Sequence, residues 1–341
     1  MIAFETLQNR ARAAFPALDR AGLGVVDVGA RDGLHAVFAE VAGLVDGVGF
    51  EPDAEECRRL NAAGAAARYR SLVFLPVGLG GTSGRRALHV CRSRGSSSLY
   101  RPERRFLDRF PDSARFAVES EPRVPVRPLD DVVDDPSLGM TKAIDFAKLD
   151  TQGSELEILQ GARKTLDRIV AVEVDVEFAR MYEAQPVFRD VDAFLAERGF
   201  TLFKLRRQEW VRSTLGRTAH WSAGQLVFGD ALYLRDPLGA EGWVPEDARQ
   251  AEALVLIAIL YDLHDFALEL VTRPPIAGLV DAGAVRAYVE ARSRRLASPW
   301  GRGTLVLDVL RAVKAAVSSH RYRRYDAHWA RSDGNFYTRI R

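Results

Sequence analysis

Val25-Val26-Asp27-Val28-Gly29-Ala30-Arg31-Asp32-Gly33 narrows the fold of this chain more than any other stretch. It reads as a short apolar strand, a turn with two glycines, and the start of a helix at Leu34-His35-Ala36-Val37-Phe38. A strand that runs through a glycine turn into a helix is how a doubly wound α/β sheet builds a nucleotide site. The glycines permit a sharp turn and a close approach of backbone to ligand. The spacing is G-x-x-x-G, not the G-x-G-x-x-G of dinucleotide binders. Asp27 sets a carboxylate inside the strand just before the turn. A second strand, Val48-Gly49-Phe50-Glu51-Pro52, ends in Glu51 about 20 residues after the turn, where such folds hold a ribose. One carboxylate can accept from both ribose hydroxyls. The competing role for Glu51 is to cap the helix that opens at Asp53.

The rest of the chain repeats the alternation. Residues 3–20 set Phe4, Leu7, Ala11, Ala14, Phe15 and Leu18 on one helical face. Asp53 to Ala67 carries helix formers. Leu72 to Val77 is a continuous apolar run, which predicts a central parallel strand buried on both faces. It leads into the loop Pro76-Val77-Gly78-Leu79-Gly80-Gly81. Arg86–Cys91 reads as a strand, Gly95–Tyr100 as a polar loop, 101–123 as surface, and Leu129–Val133 as a short helix. Ala143–Asp150 is a strand, followed by a helix at Ser154–Leu166 that a Ser154/Glu157 capping box would start. Strands at Ile169–Val176, Phe200–Leu205 and Ala231–Arg235, with a helix at Val187–Arg198, complete the pattern. It predicts a parallel sheet with helices on both faces.

At Asp236-Pro237-Leu238-Gly239 the period changes. Helical patterns follow at 245–271, 281–297 and 303–320, with no strand. The punctuation puts a boundary near 237, dividing 1–236, with an N-terminal helix in 1–20, from a helical region at 237–341 that would fold separately. Leu254, Ile257, Ala258, Leu260 and Tyr261 form either the core of that region or a homodimer contact.

Composition adds exclusions. The 341 residues are 47% hydrophobic and 28% charged, which leaves ample core. A net charge of +2 gives no whole-chain field for nucleic acid or membrane. The basic, aromatic terminus (Arg321, Arg323, Arg324, Arg331, Arg339 and Arg341 among Tyr322, Tyr325, Trp329 and Tyr337) suits single strands, but a basic helix end is the simpler reading. Cys57 and Cys91 lack metal spacing, and no disulfide framework is expected. The start lacks the basic and apolar regions of a signal peptide. The run Ala253–Tyr261 is too short to span a bilayer. A cytoplasmic protein without a membrane partner is expected.

These residues resemble the FkbM family of S-adenosylmethionine-dependent methyltransferases. The resemblance is carried by residues 25–33, Gly49-Phe50-Glu51-Pro52, Ser96-Ser97-Ser98-Leu99, Val126-Arg127-Pro128-Leu129-Asp130-Asp131, and most specifically by Lys148-Leu149-Asp150-Thr151-Gln152-Gly153-Ser154-Glu155-Leu156-Glu157 running on to Gly161-Ala162. It covers roughly residues 22–236 and leaves out the helical C-terminus. It implies a Rossmann-like class I methyltransferase sheet of seven strands, the last antiparallel, with S-adenosylmethionine across the first strand ends. It implies O-methylation of a sugar, polysaccharide precursor or secondary metabolite. A catalytically silent donor-binding scaffold and an RNA or protein methyltransferase are the alternatives.

On that resemblance the donor site comprises Asp27, Gly29, Arg31, Gly33, Glu51, Pro76 and Val77. Gly29 and Gly33 would approach the amino-acid tail, Glu51 would hold the ribose, and Pro76 and Val77 would flank the adenine. Asp27 would meet the tail's ammonium or cap the following helix. Arg31 departs from the small or amide residue expected there; it would repel the sulfonium or reach the tail's carboxylate. Asp150, at a strand end on the crevice edge, is the candidate to hold the acceptor hydroxyl or take its proton. His35 and Glu173 are the other catalytic candidates. Ser97, Ser98, Gln152 and His220 would line the acceptor pocket. Glu173, Asp175 and Glu177 alternate with valines and so share one face. Burying them would be costly, so the strand should end in solvent. The alternative is a divalent cation held with Asp150, and no metal ligand is assigned.

Overall fold

The computed structural model describes residues 2–138, 143–215, 222–240, 242–297 and 329–333. The helix expected at 303–320 and most of the basic terminus lie outside the described residues.

The alternating pattern becomes a mixed sheet. Its strands are β1 (Leu23–Val28), β2 (Val45–Phe50), β3 (Ser71–Leu75), β4 (Phe146–Leu149), β5 (Ala171–Glu177), β6 (Phe200–Trp210), β7 (Gln225–Arg235) and a short β8 (Ala330–Ser332). They lie in the order β8-β6-β7-β5-β4-β1-β2-β3. Strands β1 to β5 run parallel. β7 is antiparallel to both β5 and β6. The first seven strands are thus the Rossmann-like class I methyltransferase sheet, with its last strand reversed. The order turns back between β1 and β4, and such a switch point opens a crevice at the strands' carboxyl ends.

Three local expectations give way to stronger constraints. The helix expected over 3–20 divides into α1 (Ile2–Ala14) and α2 (Pro16–Ala21). Pro16 lacks a donor and disfavours a helical Phe15. The apolar run at Leu72–Val77 is not a central strand. It forms β3 at the sheet's edge, with Val73 37% exposed. Beyond α3 (Ala54–Ala62), the helix expected over 154–166 divides into α4 (Glu155–Gln160) and a single turn at Arg163–Leu166. Its Ser154/Glu157 capping box does not form, because Ser154 makes no side-chain cap bond. Glu157 instead pairs with Arg86 and Tyr100.

Two cores sandwich the sheet. Val26, Val28, Leu149, Val172 and Val174 pack against α4 and α5 (Phe188–Ala196). The opposite face, with Val25, Phe146, Ala171 and Leu232, packs against α1, α2 and a 3-10 helix at Ala36–Leu44. Into that same core come α6 (Ala248–Leu260), α7 (His264–Leu270) and α8 (Ala282–Ala297). Every residue of α6 from Gln250 to Leu260 is buried, as a helix apolar on all sides requires.

The change of period near 237 therefore marks no break in the core. Leu254, Ile257, Ala258, Leu260 and Tyr261 are covered completely within one chain, so this face is not the homodimer contact considered from sequence. Buried ion pairs fasten the join. Arg249 donates to Asp145 at 2.7 Å, and Asp145 also accepts from Gly24 N. Arg292 pairs with Glu40 at 3.1 Å. The expectation of no strand after 237 fails at β8, which pairs with Gln208–Trp210 of β6.

Candidate active site

The crevice above the switch point is an open cleft of about 190 Å³. Residues 28–32 and 50–53 form one wall, Val77–Leu79 another, and Asp150–Gln152 the floor. The loop from Arg94 to Leu99, with Leu88 and Val90, closes the far side.

At the β1 end, Gly29 has φ of +85°, and a Cβ there would meet the Asp150 carbonyl at 2.0 Å. Only glycine allows the two strand ends to approach this closely. Glu51 lines the cleft at the end of β2. One of its oxygens accepts from Asp53 N at 2.8 Å, and the other makes no hydrogen bond among the described residues, which leaves it for a ligand. Burial raises the Glu51 carboxyl above its ordinary range, and the charge of Arg31 opposes this. Two arginines line the cleft. Arg94 is engaged with Cys91 O and Glu119. The Arg31 side chain makes no hydrogen bond or ion pair among the described residues. Val77 lines the cleft; Pro76 and Gly33 do not.

Asp150 sits on the floor with 39% of its side chain open. Both oxygens are already engaged: Oδ2 accepts from Lys148 Nζ and Oδ1 from Gln152 Nε2, each at 3.0 Å. Surrounding protein pushes its carboxyl up, but Lys148 and Gln152 prevail and hold it below the usual carboxylate range. Burial opposes the Lys148 ammonium, yet Asp150, Asp27 and Glu173 together raise it above its ordinary value. Lys148 lies between Asp27 on β1 and Glu173 on β5 in the sheet register. Gln152 takes a left-handed φ of +62° and also donates to Asp175 at 3.0 Å. Tyr182 OH lies 2.9 Å from Ser96 O and 3.3 Å from Gln152 Oε1. Ser98 donates to Gln152 O at 2.7 Å, and Ser97 accepts from Cys91 N. Ser97, Ser98 and Gln152 thus line the cleft and also brace its floor.

The other catalytic candidates lie beneath the cleft. Asp27 is buried and accepts from His35 N at 2.7 Å, which closes the loop after β1. The N-cap of the 3-10 helix is His35 itself, whose Nδ1 accepts from Val37 N, so Asp27 ties the base of the loop without capping the helix, and its side chain does not line the cleft. His35 Nε2 lies 3.3 Å from Glu173 Oε1, and both side chains are buried on the helical face. Neither lines the cleft. His220 lies outside the described residues.

The carboxylate row of β5 does not emerge into solvent. Glu173, Asp175 and Glu177 are each at most 4% exposed. Their desolvation is met in different ways. Glu173 has His35 and Tyr261 as partners. Burial, together with the charge of Glu177 and other acids, drives the Asp175 carboxyl well above the carboxylate range, and burial with the charge of Glu155 does the same to Glu177. Among the described residues no group of three or more His, Cys, Asp or Glu is arranged to hold a metal ion.

Sequence reasoning missed Leu88, Val90 and Arg94, whose stretch carries no local sign of a ligand. It also passed over Lys148, although alternation puts it on the face of Asp150.

A reversed last strand, a glycine-closed β1 loop and a strand-end carboxylate at β2 define a class I methyltransferase architecture. A family model described as the methyltransferase FkbM domain matches residues 27–202, more than half of the 341. The chain belongs to that family. Among curated proteins nothing matches it. Solved structures that match it include magnesium protoporphyrin IX methyltransferase from Synechocystis PCC 6803 with bound SAM, at 10% identity and a TM-score of 0.30 over 68% of this chain and 79% of that one. Precorrin-6y C5,15-methyltransferase from Geobacter metallireducens GS-15 is 11% identical, with a TM-score of 0.31 over 65% and 86%. An rRNA methylase from Streptococcus thermophilus is 11% identical, with a TM-score of 0.31 over 66% and 95%. Likeness at this level says nothing of the acceptor. No helix among the described residues is long and apolar enough to cross a membrane.

Proposed function

We propose that this methyltransferase binds S-adenosylmethionine in the cleft and methylates a hydroxyl oxygen of a sugar, a polysaccharide precursor or a secondary metabolite in the cytoplasm. The observation that carries the donor half is Glu51, a cleft-lining carboxylate with one oxygen uncommitted at the end of β2. It suits two adjacent ribose hydroxyls. Gly29 gives the tail close access to backbone, Arg31 meets its carboxylate, and Val77 flanks the base.

The donor supplies a methyl group on a positively charged sulfur. Asp150, kept ionised by Lys148 and Gln152, accepts a hydrogen bond from the acceptor hydroxyl and holds its oxygen in line. Such positioning supplies much of the rate. The hydroxyl proton becomes strongly acidic as the carbon–oxygen bond forms, so a weak base suffices, and it passes to Asp150 or to solvent. Ser97 and Ser98 offer hydroxyls to a polyhydroxylated acceptor.

The test is calorimetry with S-adenosylhomocysteine, then transfer of labelled methyl to a panel of sugars and hydroxylated metabolites. Absence of binding sinks the donor reading. Binding without transfer to any hydroxyl favours a silent donor-binding scaffold, and label recovered in RNA or protein reassigns the acceptor.

A further inference from the structure

We propose that Tyr261, at the end of α6 and outside the matched segment 27–202, is a positioning residue for the donor loop, an inference that rests on the donor reading above. The loop from Gly29 to Leu34 is tied at its base, where Asp27 Oδ2 accepts from His35 N at 2.7 Å. The other oxygen of Asp27 is buried without a partner, so this one bond fixes the carboxylate. His35 Nδ1 accepts from Val37 N at 3.3 Å. That bond assigns the ring proton to Nε2, which then donates to Glu173 Oε1 at 3.3 Å.

Glu173 stands on the rigid β5, and its second oxygen accepts from Tyr261 OH at 2.5 Å. His35, Glu173 and Tyr261 are 6%, 4% and 0% exposed. Tyr261 is held in place by stacking on Phe146 of β4, at 5.9 Å between ring centroids. A fixed hydroxyl thus sets the rotation of the Glu173 carboxylate and keeps Oε1 on His35. Without it, the charge of Lys148, which already acts on Glu173, draws the carboxylate away from the ring. The loop then loses its outer anchor. Helices that the family segment does not include would in this way complete the donor site.

Tyr261→Phe keeps the ring and removes only the hydroxyl. It should weaken S-adenosylhomocysteine binding about tenfold, the equivalent of one lost hydrogen bond, and raise amide hydrogen exchange across residues 29–35. Glu173→Gln should do the same, and the double variant should be no worse than the weaker single, since both cut one link. Tyr288→Phe is the comparator: it removes a hydroxyl from another buried carboxylate, Glu40, in the same helical layer. It should lower stability and leave both readouts alone. Native affinity and exchange in Tyr261→Phe, or equal losses in Tyr288→Phe, would overturn the assignment. The exchange measurement needs no ligand. If the wild-type chain fails to bind S-adenosylhomocysteine, the donor reading falls while the exchange result still decides the role of Tyr261.

Discussion

Arg31→Ala separates the two ends of the donor. Arg31 is a half-buried, cleft-lining residue whose guanidinium makes no hydrogen bond or ion pair among the described residues. A hydrogen bond to a charged group contributes about 1.5–3 kcal/mol. Solvent reaches this guanidinium, so the lower end applies, which is roughly tenfold in affinity. The assay is calorimetry with two ligands that share adenosine and the sulfur. S-adenosylhomocysteine carries the amino-acid carboxylate and 5′-methylthioadenosine does not. The variant should lose about tenfold for the first and nothing for the second. Arg31 also holds down the Glu51 carboxyl, which burial raises. Removing it raises the Glu51 carboxyl further, so the titration is repeated at higher pH, where more of that carboxylate is ionised. Equal losses for both ligands would mean that Arg31 acts through Glu51 at the ribose. Unchanged binding of both would mean that it only faces solvent. Either result refutes a carboxylate contact.

Glu51→Ala should weaken both ligands alike, by about one to two decades, as calorimetry would reveal; native affinity removes Glu51 from the site. Asp150→Asn should cut methyl transfer to any accepted hydroxyl by roughly 10²–10⁴ with donor affinity nearly unchanged, measured with labelled donor. Asp175→Asn tests the buried acids. Its carboxyl is raised when folded, so its contribution to stability is present below the ordinary carboxylate pKa and lost as pH rises through the folded value. The gain in Tm of the variant over wild type should grow as pH rises above the ordinary carboxylate range, and a constant difference refutes this. A chain ending at Arg235 should not fold: six large aliphatic residues of α6, from Leu254 to Leu260, are fully buried. At about 1.5–3 kcal/mol each their burial is comparable with a typical total stability of roughly 5–15 kcal/mol. A cooperative melt of that fragment by circular dichroism would contradict the shared core.

What the sequence made legible was local. Gly29, Glu51 and Asp150 end strands and start turns, and punctuation within a few residues marks them. Their common position at one sheet edge follows from parallel strands alone. What escaped was decided at a distance. Alternation put Glu173, Asp175 and Glu177 on one face, but their cover comes from residues remote in the chain, such as Tyr261 on α6. His35 looked catalytic because it follows the glycine turn, yet β1 directs Asp27 and its partner toward the helical face. An apolar run such as Leu72–Val77 looks the same in a central or an edge strand, and the crossover order made it β3. The break in period near 237 was real, but the partner surfaces of α6 lie over two hundred residues earlier and leave no trace beside it: Leu18 N donates to Glu252 across 234 positions.

That separation governs how the chain must fold. The apolar face of β1 and α2 emerges from the ribosome before α6 and waits for it. At synthesis rates of about 5–20 residues per second, 234 positions correspond to roughly 10–50 s. Contacts this distant in sequence also slow the search in a full-length chain. Until α6 arrives, Val25, Phe146 and Leu232 present an open greasy surface, so the nascent protein depends on chaperones or on keeping its concentration low, and a heat-denatured sample should aggregate before it refolds.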